Sequence, residues 1–386
     1  MPTAVSHSRA VLQTFQYSAH AGWSCGRLPE LDSEHTFVVA FGAPEFGQDA
    51  APLAELTRHF AKSSLVGCST AGEIFGTRMH DATITVAAMR FARTRLRRVS
   101  APVSQSTSFA TGAALARQLA AGDLKAVFLL AEGLDINGSE LVRGLSSGLL
   151  PGVVVTGGLA GDGDRFQRTW VLEAGAPASG IVSAVGFYGD ALRVGHGFKG
   201  GWDAFGPERM VSRSSGNVLY ELDGKPALAL YKQYLGDRAK GLPATALLFP
   251  LTMRAPHDHD KVVVRTVLAV DEQQQSMRFA GDLPMGHITR FMRANFDRLV
   301  EGASAAARLS NCSDVPGPVL ALTVSCVGRR LVLGERTEEE IEAALDALPA
   351  GTEQIGFYSY GEVSPLTNGQ CDLHNQTMTL TTLAEA

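Results

Sequence analysis

The side chains best suited to chemistry crowd into Gly356–Leu380, GFYSYGEVSPLTNGQCDLHNQTMTL, which places a thiol, an imidazole, four carboxamides and two phenols close together. Two alternating runs, Ile355 to Tyr360 and His374 to Thr382, flank turn chemistry at Pro365, Asn368 and Gly369, so a hairpin is expected with Tyr358 and Tyr360 on the strand beside His374. At period two, His374 and Gln376 point to one face and Asn375 and Thr377 to the other, and the pattern leaves open which pair faces inward. Cys371 and His374 invite a metal reading, but their odd offset sets them on opposite faces, and no second Cys/His pair stands at zinc spacing.

Two glycine-rich strand exits are the next candidates. Gly67–Ile74 (GCSTAGEI) leaves a thiol, Cys68, and two hydroxyls near a strand end, and Gly157–Asp164 (GGLAGDGD) follows the strand Val153 to Thr156. Neither is a nucleotide fingerprint: the Gly-Lys-Ser/Thr ending is missing, and Gly161-Asp162-Gly163 leads into an expected strand, Arg165 to Leu172, where a dinucleotide loop opens a helix. Tight turns are the simpler reading. Cys68 with a distant histidine could act as nucleophile and base, yet no G-x-S-x-G elbow and no acid–base pair at characteristic spacing occurs, so a binding protein is expected, not an enzyme. His257 and His259, in PHDHD, read as an exposed loop pair.

The elements that must position these loops read as mixed α/β. Strands at Thr36 to Gly42, Thr83 to Phe91, Arg95 to Ala101, Ala126 to Leu130, Ile181 to Tyr188 and Leu192 to Phe198 alternate with helices at Ala51 to Lys62, at Phe109 to Ala121, and from a Ser139 cap to about Leu149. After a turn at Glu221–Pro226, a helix to Leu235, strands near Ala246–Leu251, Val262–Val270, Ser276–Ala280 and Ile288–Met292, a helix Asn295–Arg308, a strand Val319–Val324 and a helix Glu338–Leu348 complete the chain. The expected fold is α+β, with two regions, 35–222 and 223–380, whose sheets are largely antiparallel or mixed and faced by helices. With 386 residues and 45% apolar content the chain can bury a large core. The net charge of -5 gives no footprint for nucleic acid, and the basic run Arg90–Arg98 reads as a strand rim. Five irregularly spaced cysteines fit a reducing compartment, and neither a leader pattern nor an apolar run of membrane length appears, so a cytoplasmic location is expected.

GCSTAGEI, GGLAGD, ELDGKPALALY, SCVGRR with LVLGER, GFYSYGEVSPL and CDLHNQTMTL, in that order over about residues 35 to 380, resemble the FIST family with its N-terminal and C-terminal regions. The resemblance implies a sensory module for small ligands such as amino acids. In the stand-alone, nitric-oxide-sensing NosP group it implies haem and signalling to a separate histidine kinase or cyclic-di-GMP enzyme, and it is compatible with a homodimer. Haem needs an axial ligand in an apolar pocket. His374 is the first candidate, with Gln376, Asn375, Tyr358 and Tyr360 around it, ahead of His196, His287 and His20; absence of C-x-x-C-H makes any haem noncovalent. Cys68 to Gly72, Gly157 to Asp162 and Tyr358 to Asn375 are the candidate wall of the ligand site, with Cys68, Gly158 and Asp162 singled out among them. The same loops could instead brace the junction of the two regions, and fold analogy leaves both readings open.

Overall fold

The computed structural model describes residues 9–242, 244–257, 262–312, 315–366 and 368–386; His259 and the first eight residues, considered above, lie outside them. Its body is one motif used three times. In unit one the first strand, Thr36–Gly42, leads through a helix (Ala51–His59) to a parallel second strand, Ser64–Ser69. A short hairpin (Glu73–Phe75, Arg78–His80) follows, then a fifth strand, Thr83–Arg90, antiparallel to the first, and a sixth, Arg95–Pro102.

Unit two repeats the order with Leu124–Ala131, Val154–Leu159, the hairpin Val171–Glu173 and Ala176–Ala178, Ile181–Tyr188 and Leu192–Lys199. Unit three does so with Leu320–Cys326, Glu353–Ser359, the hairpin Gly361–Pro365 and Cys371–His374, and Met378–Glu385.

The units exchange strands cyclically. Each sheet is built on the fifth, first and second strands of its own unit, with the hairpin of the following unit paired to the second strand in two of the junctions and of the first unit in the third. The sixth strand of unit one pairs on the sheet of unit two, and that of unit two on the sheet of unit three. At the corresponding place in the sheet of unit one, beside Thr83–Arg90, stands the N-terminal strand Val11–Ser18. Strands from both sides of residue 222 therefore share sheets.

Alternation along the central strands explains the layers. Phe37, Val39 and Phe41, Ala126, Phe128 and Leu130, and Leu320, Leu322 and Val324 turn inward to one shared core, where Phe41 stacks on Phe357 at 4.6 Å and Phe37 meets Phe187 at 5.1 Å. The intervening residues face outward onto helices. Val38 and Ala40 lie under Leu53 and Leu56, Val127 and Leu129 under helices Ser108–Leu119 and Gly138–Ser147, and Ala321 under helices Phe296–Leu309 and Thr337–Asp346. Residues 203–293 form an inserted module between units two and three, an antiparallel sheet packed around helix Ala227–Leu235 through Leu228, Tyr231, Phe279 and Phe291.

Several local expectations are corrected. Helix Gly138–Ser147 is capped by Asn137, whose side-chain oxygen accepts from Glu140 N at 3.1 Å, and not by Ser139. Arg165–Leu172 is mostly loop, because the Asp162 carboxylate accepts the N–H groups of Phe166, Gln167 and Arg168 and curls the chain around itself. The Ala246–Leu251 segment is largely a short 3-10 helix, Ala244–Leu248, ahead of strand Leu251–Arg254. Helix Val327–Leu333 has no counterpart among the expected elements. Most consequential, Ile355–Tyr360 and His374–Thr382 are not partners: the hairpin is Gly361–Pro365 with Cys371–His374, and the chain then changes sheets at Asn375–Thr377 to pair Met378–Glu385 with Leu320–Cys326.

Candidate functional site

Where the three second strands end, their exit loops bind one another in a ring. Ala71 N donates to Tyr358 O (2.8 Å), Gly161 N to Ser69 O (2.9 Å) and Tyr360 N to Leu159 O (3.3 Å). The same short signature stands in each loop, a glycine followed by an acid: Gly72-Glu73, Gly161-Asp162 and Gly361-Glu362. The two glutamates play matching parts. Glu73 accepts from Thr70 Oγ1 and from Thr83 N (3.0 Å) and Oγ1 (2.9 Å); Glu362 accepts from Ser359 Oγ (2.8 Å) and from Thr377 N (3.2 Å) and Oγ1 (2.9 Å). Burial pushes the Glu73 carboxyl up to about 7 and the Glu362 carboxyl up to about 8, against the hydrogen bonds that favour the ionised form. Unit two fills this place from another strand: Glu132 accepts from Thr169 Oγ1 and from Gly180 N.

Beside the ring opens a cavity of about 420 Å³. Unit one supplies Ala43–Glu45, Thr70–Glu73, Asp81 and Ala82, unit two Gly163–Arg165, and unit three Val327, Arg330 and Leu331. Its rim carries both signs of charge. Arg330 donates to Ala71 O and to Asp81 (2.7 Å), and Arg165 donates to Asp162 O (2.7 Å) and Glu45 (2.7 Å). Gly72 has φ 127°, and a side chain there would run into the Arg330 guanidinium, so the close approach of loop and arginine requires glycine. The cavity lies in the size range of small-molecule sites, and its lining sets charged side chains among apolar surface.

The structure places the sequence candidates as follows. Thr70, Ala71 and Gly72 line the cavity, whereas Cys68, two residues earlier, is buried in the shared core with its thiol raised by desolvation, which suits packing and not nucleophilic attack. Gly158 makes room for Val324 and Phe357. Asp162 meets Tyr360, whose hydroxyl donates to its carboxylate while the Tyr360 ring stacks on Phe166 at 4.5 Å, so this pair organises the loop that leads into the cavity wall. Tyr358 is remote from His374 in pairing and role: its hydroxyl donates to Glu340 (2.8 Å), which is also bound by Arg329, and the ion pair is wholly buried. Glu73, Asp81, Arg165 and Arg330 are functional candidates that sequence reasoning misses; an acid set inside the apolar run Ala71–Phe75 is the available signal for Glu73.

His374 is 1% exposed and does not line the cavity. Its Nε2 lies 3.0 Å from Ser364 O, its ring packs on Phe198 at 4.2 Å, and its backbone pairs with Glu362. As arranged, these neighbours do not fit a haem, which needs an open axial nitrogen and an apolar slot along the ring plane. Asn375 and Gln376 are buried nearby in sequence but sit in the bend between strands. Among the described residues no group of three or more His, Cys, Asp or Glu could hold a metal ion, and no helix is long and apolar enough to cross a membrane.

Comparison with known proteins places this architecture. An uncharacterized protein from Methanocaldococcus jannaschii is 23% identical over 255 residues, which cover 60% of this chain and 47% of the relative, so the chain spans about half the length of the relative it matches. Residues 36–225 match the FIST N domain and residues 227–365 the FIST C domain, together most of the molecule. The chain belongs to the FIST family, whose domains are sensory modules that bind small ligands.

Proposed function

We propose that the cavity beside the ring is the recognition site of this sensor, that it takes a small polar molecule such as an amino acid without haem, and that a separate histidine kinase or cyclic-di-GMP enzyme reads the occupied state. The observation that carries this is the origin of the wall: one ligand would touch loops of all three units at the point where their backbones are hydrogen-bonded together. The charge pattern supports a zwitterion, since Arg330 and Arg165 can meet a carboxylate while Asp81, Glu45 and Asp164 can meet an ammonium group. Binding to the folded state then tightens the junction that a partner senses.

A melting screen against the amino acids tests the reading. A ligand held at about 100 times its Kd adds about 2.7 kcal/mol of stability, so a clear rise in midpoint is expected, absent in Arg330→Ala. No rise with any amino acid, or an unchanged rise in that variant, rejects the cavity. The spectrum of protein made with haem supplied separates the other class: a Soret band that His374→Ala abolishes would support the haem and nitric-oxide reading instead.

A further inference from the structure

We infer that Asn375 and Gln376 form a second, closed recognition site for a small uncharged molecule carrying both a hydrogen-bond donor and an acceptor, lying beneath the inserted module. Both side chains are fully buried, and among the described residues none of their four polar atoms, Asn375 Nδ2 and Oδ1 and Gln376 Nε2 and Oε1, has a hydrogen-bond partner. Buried amides are nearly always matched, and two adjacent ones left unmatched point to a ligand that completes them.

The three-unit comparison makes the point sharper. In each unit a residue one or two places ahead of the fifth strand has a left-handed backbone: Ala82 (φ 59°), Gly180 (φ 68°) and Gln376 (φ 61°). The equivalence is fixed by matching hydrogen bonds from the end of the first strand, Ala43 N to Thr83 O, Glu132 N to Ile181 O and Cys326 N to Thr377 O. At this place unit one has Asp81, which is solvent-exposed and paired with Arg330, followed by Ala82. Unit two has Ser179, whose hydroxyl donates to Thr169 O at 2.7 Å, followed by a glycine. Unit three alone puts two long amides there and buries them.

The cover comes from outside the unit. Trp202 Nε1 donates to Gln376 O (2.7 Å), and Arg265 of the inserted module donates to Leu373 O (3.1 Å). On the other side the Gln376 amide lies against Gly328, where any side chain would collide with it. The charged groups close by are already engaged: Arg329 by Glu340 and the carbonyls of Gly200 and Leu299, Glu362 by Ser359 and Thr377. A neutral amide, urea or hydroxyl compound therefore matches the site better than an ion.

Acetamide and urea at millimolar concentration are the probes, with Trp202 as the reporter. Saturable change in tryptophan emission and a raised melting midpoint are expected for the wild type. Trp202→Phe should lose the emission change, Gln376→Leu both responses, and Arg330→Ala neither, which separates this site from the cavity. The inference is overturned if the wild type gives no saturable response, or if Gln376→Leu responds like wild type. Should Gln376→Leu fail to fold, native mass spectrometry of the wild type decides, a one-to-one adduct supporting the site and its absence rejecting it.

Discussion

Units one and three run through the same turn with opposite exposure: Asp81 of the first is open to solvent, while Asn375 and Gln376 of the other are buried. Asp81-Ala82-Thr83 and Asn375-Gln376-Thr377 occupy equivalent positions, each with a threonine bound to a buried glutamate. Unit one leaves the turn open beside a cavity; unit three shuts it under Trp202 and Arg265. Two neighbouring arginines divide along the same line. Arg329 points into unit three and is wholly buried against Glu340, whereas Arg330 points toward unit one and reaches Asp81 at the cavity rim. The backbone frame is thus indifferent to use, and side chains at a few repeated places decide whether a unit supports structure or exposes a site.

Removing the buried cation should do the most damage. Arg329→Met leaves Glu340 buried with only the Tyr358 and Ser325 hydroxyls, and a cost of about 3–5 kcal/mol is expected from denaturant melts. A loss below about 1 kcal/mol, the range of exposed pairs, would show that unit three is less closed than its geometry implies.

The paired glutamates give the next effect and carry a sign. Because burial raises both carboxyls, to about 8 for Glu362 and about 7 for Glu73, the folded state holds protons that the unfolded chain has released above its ordinary carboxylate range. Stability contributed by the protonated forms is full below about pH 4.5 and is lost as pH climbs to about 7 and 8. Glu362→Gln should flatten this slope and stabilise the protein at pH 8.5 by a few kcal/mol, at about 1.4 kcal/mol for each tenfold change in proton affinity, with Glu73→Gln giving less. Urea midpoints at pH 5, 7 and 8.5 measure it; equal slopes in wild type and variants would remove the parallel between the units.

Gly72→Ala should cost about 1–3 kcal/mol, through the left-handed backbone and the displaced Arg330, and should weaken ligand response at the cavity. Gly361, at the matching point of unit three, has an ordinary backbone, though its neighbours Leu159 and Leu373 are close. The two alanine variants, compared by melting, should therefore differ in ligand response even where their stabilities agree.

How much of this the sequence discloses depends on the kind of signal. Thr36–Gly42 and Ile181–Tyr188 are legible because both faces of these strands are buried, which writes a nearly continuous apolar run, interrupted in the second only by the buried Ser183 and by Gly186. Partner choice is not: His374–Thr382 alternates as a strand should, but alternation carries no record of which sheet receives each half, and the bend at Asn375–Thr377 hands the chain from one sheet to another. The three-fold repeat is present as Ala-Gly-Glu, Ala-Gly-Asp and Tyr-Gly-Glu, yet the inserted module stretches the second interval and hides the period. The cavity is readable only in its Thr70–Gly72 edge, since Arg165, Arg330 and Asp81 meet only through the exchange of strands between units.

Arg330→Ala gives the smallest change in stability and the sharpest test of the open unit. Its partner Asp81 is well exposed and the guanidinium is partly so, which keeps the expected loss below about 1 kcal/mol. The same substitution removes a cation from the cavity rim and the hydrogen bond to Ala71 O, the residue whose N–H closes the ring with Tyr358. A near-wild-type melt combined with a lost amino-acid response would establish that recognition and folding are separable in unit one. Arg329→Met, one residue away, should show the reverse proportion, because its contacts belong to the closed side.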